Sequence, residues 1–166
     1  MERILIIGTN GCGKTTMAKE MASRLDLPLV HLDSLYWKDN WTPSGRDEFR
    51  QALAPELTKP RWILDGNMIS TFGERLPYAD TVVWLDFPAI QGALGCLKRS
   101  LQNLGRSRDD MGPNCPERVD WKFIFSVLQY NRKNTPRFRQ MLAGYPSLTV
   151  IRLTNRREVR AFLDSL

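Results

Sequence analysis

The chain has 166 residues, 42% hydrophobic and 25% charged, an ordinary globular balance that excludes wholesale disorder. The formal net charge is +6, unevenly spread: residues 1–97 hold ten basic and twelve acidic groups, residues 98–166 fourteen and six. The basic second half suits a polyanionic partner, whether nucleic acid, a membrane surface or a phosphorylated small molecule.

No apolar run approaches the roughly 18 residues of a membrane span. The first residues lack the long apolar region and cleavage site of a secretory signal. Three cysteines without a C-x-x-C spacing, and one histidine (His31), argue against a disulfide framework or a zinc site. Reduced thiols in a cytoplasmic protein are the expectation. The length fits a single domain, residues 1–166.

In chain order, Arg3–Ile7 reads as a strand and Lys14–Leu25 as a helix with Met17, Met21, Ala22 and Leu25 on one face. Pro28–Leu32 is a second strand. Asp47–Leu57 is helical, with Pro55 placed to kink or end it. Trp62–Asp65 and Thr81–Asp86 are further strands. Ala89–Leu104 is a helix in which Leu94, Leu97, Leu101 and Leu104 are spaced as a buried stripe. Residues 106–116 read as a mobile surface loop, rich in charge and broken by Gly112 and Pro113. Helices over 117–133 and 136–143, a strand Thr149–Leu153 and a helix over 156–166 complete the chain. Near-continuous apolar strands alternating with helices predict an α/β fold with a parallel sheet covered on both faces.

Gly8-Thr9-Asn10-Gly11-Cys12-Gly13-Lys14-Thr15 fits G-x-x-x-x-G-K-[ST] at every fixed position, directly after a strand and directly before a helix. Glycines bring the backbone against a phosphate, successive N–H groups point into one concavity, and the helix adds the positive end of its dipole. The predicted nucleotide-binding set is Gly8, Asn10, Gly11, Cys12, Gly13, Lys14, Thr15 and Thr16. Lys14 brings charge to the β- and γ-phosphates, and the Thr15 hydroxyl is placed to ligate Mg²⁺. ATP and Mg²⁺ are therefore the expected cofactors. Cys12 reads as a small residue filling the loop, with redox sensing the alternative.

The loop, His31-Leu-Asp-Ser-Leu-Tyr-Trp37, Trp62-Ile-Leu-Asp-Gly-Asn67 and Ala79-Asp-Thr-Val-Val-Trp-Leu-Asp86 occur in that order. Together they resemble the P-loop proteins known as the DNA topology modulation family, which are similar to adenylate and shikimate kinases. The resemblance implies a three-layer fold with a five-stranded parallel sheet in order 2-3-1-4-5. It also implies an acceptor-binding region after strand 2 (residues 34–60) and a short lid after strand 4 (residues 105–118). The doubly wound rule agrees that ligands sit beyond the carboxyl ends of such strands.

On that resemblance Asp33 orients the acceptor or binds Mg²⁺ through water, with a helix cap as its plainer reading. Asp65 resembles the Walker B acid that holds a water of the Mg²⁺ shell. The arginine that adenylate kinases carry shortly after their Asp-Gly is missing from Asp65-Gly66-Asn67-Met68-Ile69, although backbone amides of Gly66 and Asn67 are free to meet a substrate. Asp86 reads as a cap or loop partner. Tyr36, Trp37 and Trp41 serve either as the wall of an acceptor pocket or as packing. Arg99, Arg106, Arg108 and Arg118 bracket the lid, where guanidinium groups suit a transferred phosphoryl group. Arg106 and Arg108 are the catalytic candidates beside Lys14 and Asp33. Asn155 and Arg156 fall on the loop that contacts adenine in such proteins.

Two functions follow as expectations. One is an ATP-dependent kinase acting on a nucleotide, nucleoside or small hydroxylated acceptor. The alternative is a nucleotide-dependent regulator associated with DNA, or an ATPase. No helix-turn-helix, zinc finger or RNP motif supports nucleic-acid binding.

Overall fold

The computed structural model describes residues 1–166. In chain order the strands are β1 (Arg3–Gly8), β2 (Leu29–His31), β3 (Trp37–Lys38), β4 (Thr42–Pro43), β5 (Trp62–Asp65), β6 (Thr81–Leu85) and β7 (Thr149–Leu153). The helices are α1 (Lys14–Leu25), α2 (Leu32–Tyr36), α3 (Arg46–Leu57), α4 (Ile69–Arg75), α5 (Ala89–Gln102), α6 (Trp121–Leu128), α7 (Tyr130–Ala143) and α8 (Arg156–Asp164).

Five strands form one parallel sheet in the order β2-β5-β1-β6-β7. The numbering differs from 2-3-1-4-5 because β3 and β4 lie outside it, as a separate antiparallel hairpin. Alternate residues of each central strand face opposite layers. Ile4, Ile6, Ile63, Val83 and Leu85 join Met17 and Met21 of α1 and Leu163 of α8 in one core. Leu5, Ile7, Trp62, Leu64, Val82 and Trp84 join residues of α3, α4 and α7 in the other, with Phe72 and Phe138 edge to face at 4.9 Å. A fully buried apolar side chain of this size contributes about 1.5–3 kcal/mol.

Three readings of the sequence are corrected. The expected leucine stripe does not face the core: Leu94 and Leu101 of α5, and Leu104 just past its end, are each about 60% exposed, and the buried face is Gly92, Ala93, Cys96 and Ser100. Small residues are needed there because the helix presses on the phosphate loop. Next, α3 continues through Pro55 to Leu57, with Phe49, Leu53 and Leu57 anchoring it to the core. Lastly, the helix expected from residue 117 begins at Trp121. Asp120 caps it by accepting from the Phe123 N–H at 3.0 Å. Glu117 instead pairs with Leu104 and joins a buried ion network.

Candidate active site

The carboxyl ends of β1, β2 and β5 open into one cleft of about 1230 Å³. That exceeds the roughly 300–1,000 Å³ of a pocket for one drug-sized ligand and leaves room for a nucleotide and a second substrate. The phosphate loop forms its floor. Gly13 has φ +96°, and a Cβ built on it meets nothing within 4 Å, so this turn of the loop borders open space. The opposite side of the loop is packed tight. A Cβ on Gly95 of α5 would lie 2.1 Å from the Gly11 carbonyl oxygen.

Lys14 folds back on the loop, its Nζ donating to the carbonyls of Gly8 (2.9 Å) and Thr9 (3.0 Å). The Thr15 hydroxyl lies 2.8 Å from Asp65 Oδ2 and 3.1 Å from Asp110 Oδ2. A hydroxyl has one hydrogen to give, so the two carboxylates share a single donor. Asp65 Oδ2 also meets His31 Nδ1 at 3.0 Å, and since a carboxylate only accepts, Nδ1 carries the proton. Asp65 Oδ1 is buried without a partner.

Asp33 lines the same cleft. Its pKa is raised by burial first and then by the charge of Asp65, against the opposing pull of Lys14. No three carboxylate, imidazole or thiol groups close around one point. A Mg²⁺ ion, which binds through one or two carboxylates plus substrate phosphates, suits this sparse set. Thr15, the unpartnered oxygen of Asp65, and Asp33 are the groups that fit it.

Two walls face each other above the loop. The first is α2 with the β3–β4 hairpin. Tyr36 packs edge to face on Phe49 at 5.7 Å, while Trp37 and Trp41 meet at 5.6 Å, and all three aromatics line the cleft. Asn40 and Trp41 both hold positive φ, a strained state for an aromatic residue that the surroundings must impose. The second wall is the segment 105–118. The sequence predicts a mobile loop, but this segment is tied at its base and along its second half. Gly105 N–H donates to the Glu117 carbonyl at 2.9 Å, and Glu117 N–H to Arg106 at 2.9 Å. Further along its second half, Trp41 Nε1 donates to the Pro116 carbonyl at 2.9 Å, and Asn40 N–H to the Asn114 carbonyl at 3.0 Å. Met111 and Cys115 are buried, and a Cβ on Gly112 would collide with the Trp37 carbonyl oxygen.

The expected arginines separate. Arg106, Arg118 and Arg156 line the cleft and make no ion pair. Arg108 also lines it but is held by Glu117 at 2.9 Å and Asp110 at 3.5 Å. Arg99 lies 3.7 Å from Glu117. Asn155 does not reach the cleft: it caps α8, accepting from the Glu158 N–H at 3.0 Å, because the free amides of the helix start capture an adjacent Asn. The Cys12 side chain is buried among core residues, where burial raises its thiol pKa, as suits a small residue filling the loop. Asp86 neither caps nor holds a loop. It pairs with Arg152 at 2.6 Å.

Sequence reasoning missed three contributors. Asn67 braces the phosphate loop through its side chain rather than its backbone amide. It accepts from Gly8 N–H at 2.9 Å and donates to the Gly8 carbonyl at 2.9 Å and Asn10 Oδ1 at 3.0 Å. Arg75, fully buried, donates to the carbonyls of Gly66, Asn67 and Met68 and fixes the strained Met68 turn. Burial lowers its pKa to about 9, which leaves the guanidinium charged at neutral pH. The third is Asp110. Only Asn67, next to the Asp-Gly pair, carried a local signal.

The comparisons agree with this architecture. The model of the ATPase family associated with various cellular activities (AAA) matches residues 4–64, from β1 through the phosphate loop to β5. Shikimate kinase from Acinetobacter baumannii, solved in complex with shikimate, is similar over 99% of this chain and 90% of its own, at 18% identity and TM-score 0.62. Shikimate kinase from Bacteroides thetaiotaomicron (17% identity, 99% and 95% covered, TM-score 0.59) and a gluconokinase from Sinorhizobium meliloti 1021 (16%, 99% and 92%, TM-score 0.56) are similar too. No curated protein matches the sequence. The chain therefore has a P-loop fold. More narrowly, its fold is similar to that of these shikimate kinases and this gluconokinase.

Proposed function

We propose that the protein is an ATP-dependent phosphotransferase acting on a small hydroxylated acceptor. The observation that carries this reading is the placement of Thr15, Asp65 and Lys14 on the floor of a cleft with room for two ligands. A groove reader of nucleic acid would present its cations on an exposed face; here Arg106, Arg118 and Arg156 converge on a cleft.

In this reading the loop amides and Lys14 hold the β- and γ-phosphates, and Lys14 must leave the carbonyls of Gly8 and Thr9 to do so. Thr15 and Asp65, with Asp33 nearby, would hold Mg²⁺, which neutralises phosphate charge when bound. Asp33 lines the same cleft, and a carboxylate with a raised pKa is a better proton acceptor for a hydroxyl. Arg106 and Arg118 stabilise charge on the transferred group. Tyr36, Trp37 and Trp41 shape the acceptor wall.

The test is a coupled ADP-release screen over nucleosides, nucleoside monophosphates and small hydroxylated metabolites. Acceptor-dependent ADP formation supports transfer. ADP formation at one rate whatever the acceptor makes the protein an ATPase.

A further inference from the structure

The leucines of α5 that fail to reach the core form a pattern of their own. Ile90, Leu94, Leu97 and Leu101 are spaced four, three, four, the 3.5-residue repeat of a helix seam, and Leu104 keeps the spacing just past the helix end at Gln102. All but Leu97 are 58–60% exposed. A second row on α6 repeats the four-three spacing: Trp121 (58%), Phe125 (62%) and Leu128 (40%).

The two rows lie on one side of the helix pair. Around α5, at about 100° per residue, the order is cleft (Gly95, Arg99), buried contact (Ala93, Cys96), then the apolar row. Around α6 the order is the same: Phe123 on the cleft, Ile124 and Val127 on α5, then Trp121 and Phe125. Both rows therefore face away from the cleft.

We infer that this face is the contact between two copies of the chain. The exposed fractions amount to roughly 850 Å² of residue surface, most of it apolar side chain, against about 300–600 Å² for the largest apolar patch of a typical monomer and about 800 Å² per partner in a standard interface. A heptad row is complementary to itself across a two-fold axis, which an isologous dimer requires. A lipid surface would call for several cations flanking both rows. The two charged residues of α5, Lys98 and Arg99, line the cleft, and α6 carries a single cation, Lys122.

The experiment is sedimentation velocity on the full chain over about 1–100 μM, at or above the dissociation constants of standard interfaces. A dimer is expected, and L94E/L101E and, separately, F125E should raise its dissociation constant at least about a hundredfold with circular dichroism unchanged. Hydrogen exchange on the unmodified chain removes dependence on the variants: residues 89–104 and 121–128 should gain protection as concentration rises. A chain monomeric throughout, a dimer indifferent to folded variants, or a dimer without that protection overturns the inference. So does a monomer that pellets with phosphatidylserine vesicles, which assigns the face to a membrane. None of these outcomes depends on phosphotransfer.

Discussion

The phosphate loop with α1 and the helix pair α5–α6 pack against one another, yet they follow different rules. In the first, the residues that carry the chemistry also dictate the local backbone. Gly13, Lys14 and Thr15 specify a turn, a helix start and a ligand site at once, and α1 turns Met17, Ala18 and Met21 inward as its periodicity requires. In the second, the strongest apolar period points outward. The inward face consists of the smallest residues, because Gly92 and Gly95 must approach the carbonyls of Asn10 and Gly11. Distance to a backbone, not hydrophobicity, chose the buried side of α5.

That contrast gives the largest expected effect. Gly to Ala within a helix ordinarily stabilises by about 1 kcal/mol. Gly95→Ala should do the reverse, since its Cβ would lie 2.1 Å from Gly11 O. We expect it to lower the melting temperature and weaken nucleotide binding by roughly tenfold or more, about 1.4 kcal/mol, by calorimetry. Equal stability and affinity would mean that α5 does not brace the loop.

Arg75→Met comes next. It leaves the carbonyls of Gly66 and Asn67 without this donor, while Met68 keeps Thr71 as its donor, and should cost about 2 kcal/mol in urea unfolding. A loss under about 0.5 kcal/mol, the scale of an ordinary surface change, would show that the turn after β5 holds itself.

Asp110→Asn has a smaller effect, on the opposite wall. It weakens the hold on Arg108 and on Thr15. Proteolysis at residues 105–118 in the nucleotide-free protein should accelerate several-fold, without a change in global melting. Unchanged cleavage would leave the hairpin contacts of Trp41 and Asn40 as the whole of the tether.

The smallest effect is a pH dependence. Burial raises the pKa of Asp33, so its contribution to stability is fully present below the unfolded value, about 3.9, and is lost as pH rises through the folded value. Asp33→Asn should therefore raise the melting temperature at pH 7 and lose that advantage near pH 4. A constant difference across that range would remove titration of Asp33 as its cause.

The sequence carried the strands, the phosphate loop and the acids at strand ends because each depends on neighbours in the chain. Arg75 and Asp110 were not readable, since no local pattern marks them, and Asn67 was marked only by its place beside the Asp-Gly pair, its side-chain partners Gly8 and Asn10 lying on another segment. The same holds for the segment 105–118, whose glycine, proline and charges look like a free loop until Trp37, Asn40 and Trp41 are placed against it. The leucines of α5 misled in the other direction, since their period was real and their partner was not the core.

The most direct test of the central claim is titration calorimetry of a non-hydrolysable ATP analogue with Mg²⁺ into the unmodified protein and into Lys14→Ala. The account predicts saturable one-to-one binding to the first, and binding at least about a hundredfold weaker to the second, a loss of about 2.7 kcal/mol, with the fold intact by circular dichroism. Equal affinity in the two proteins would contradict it.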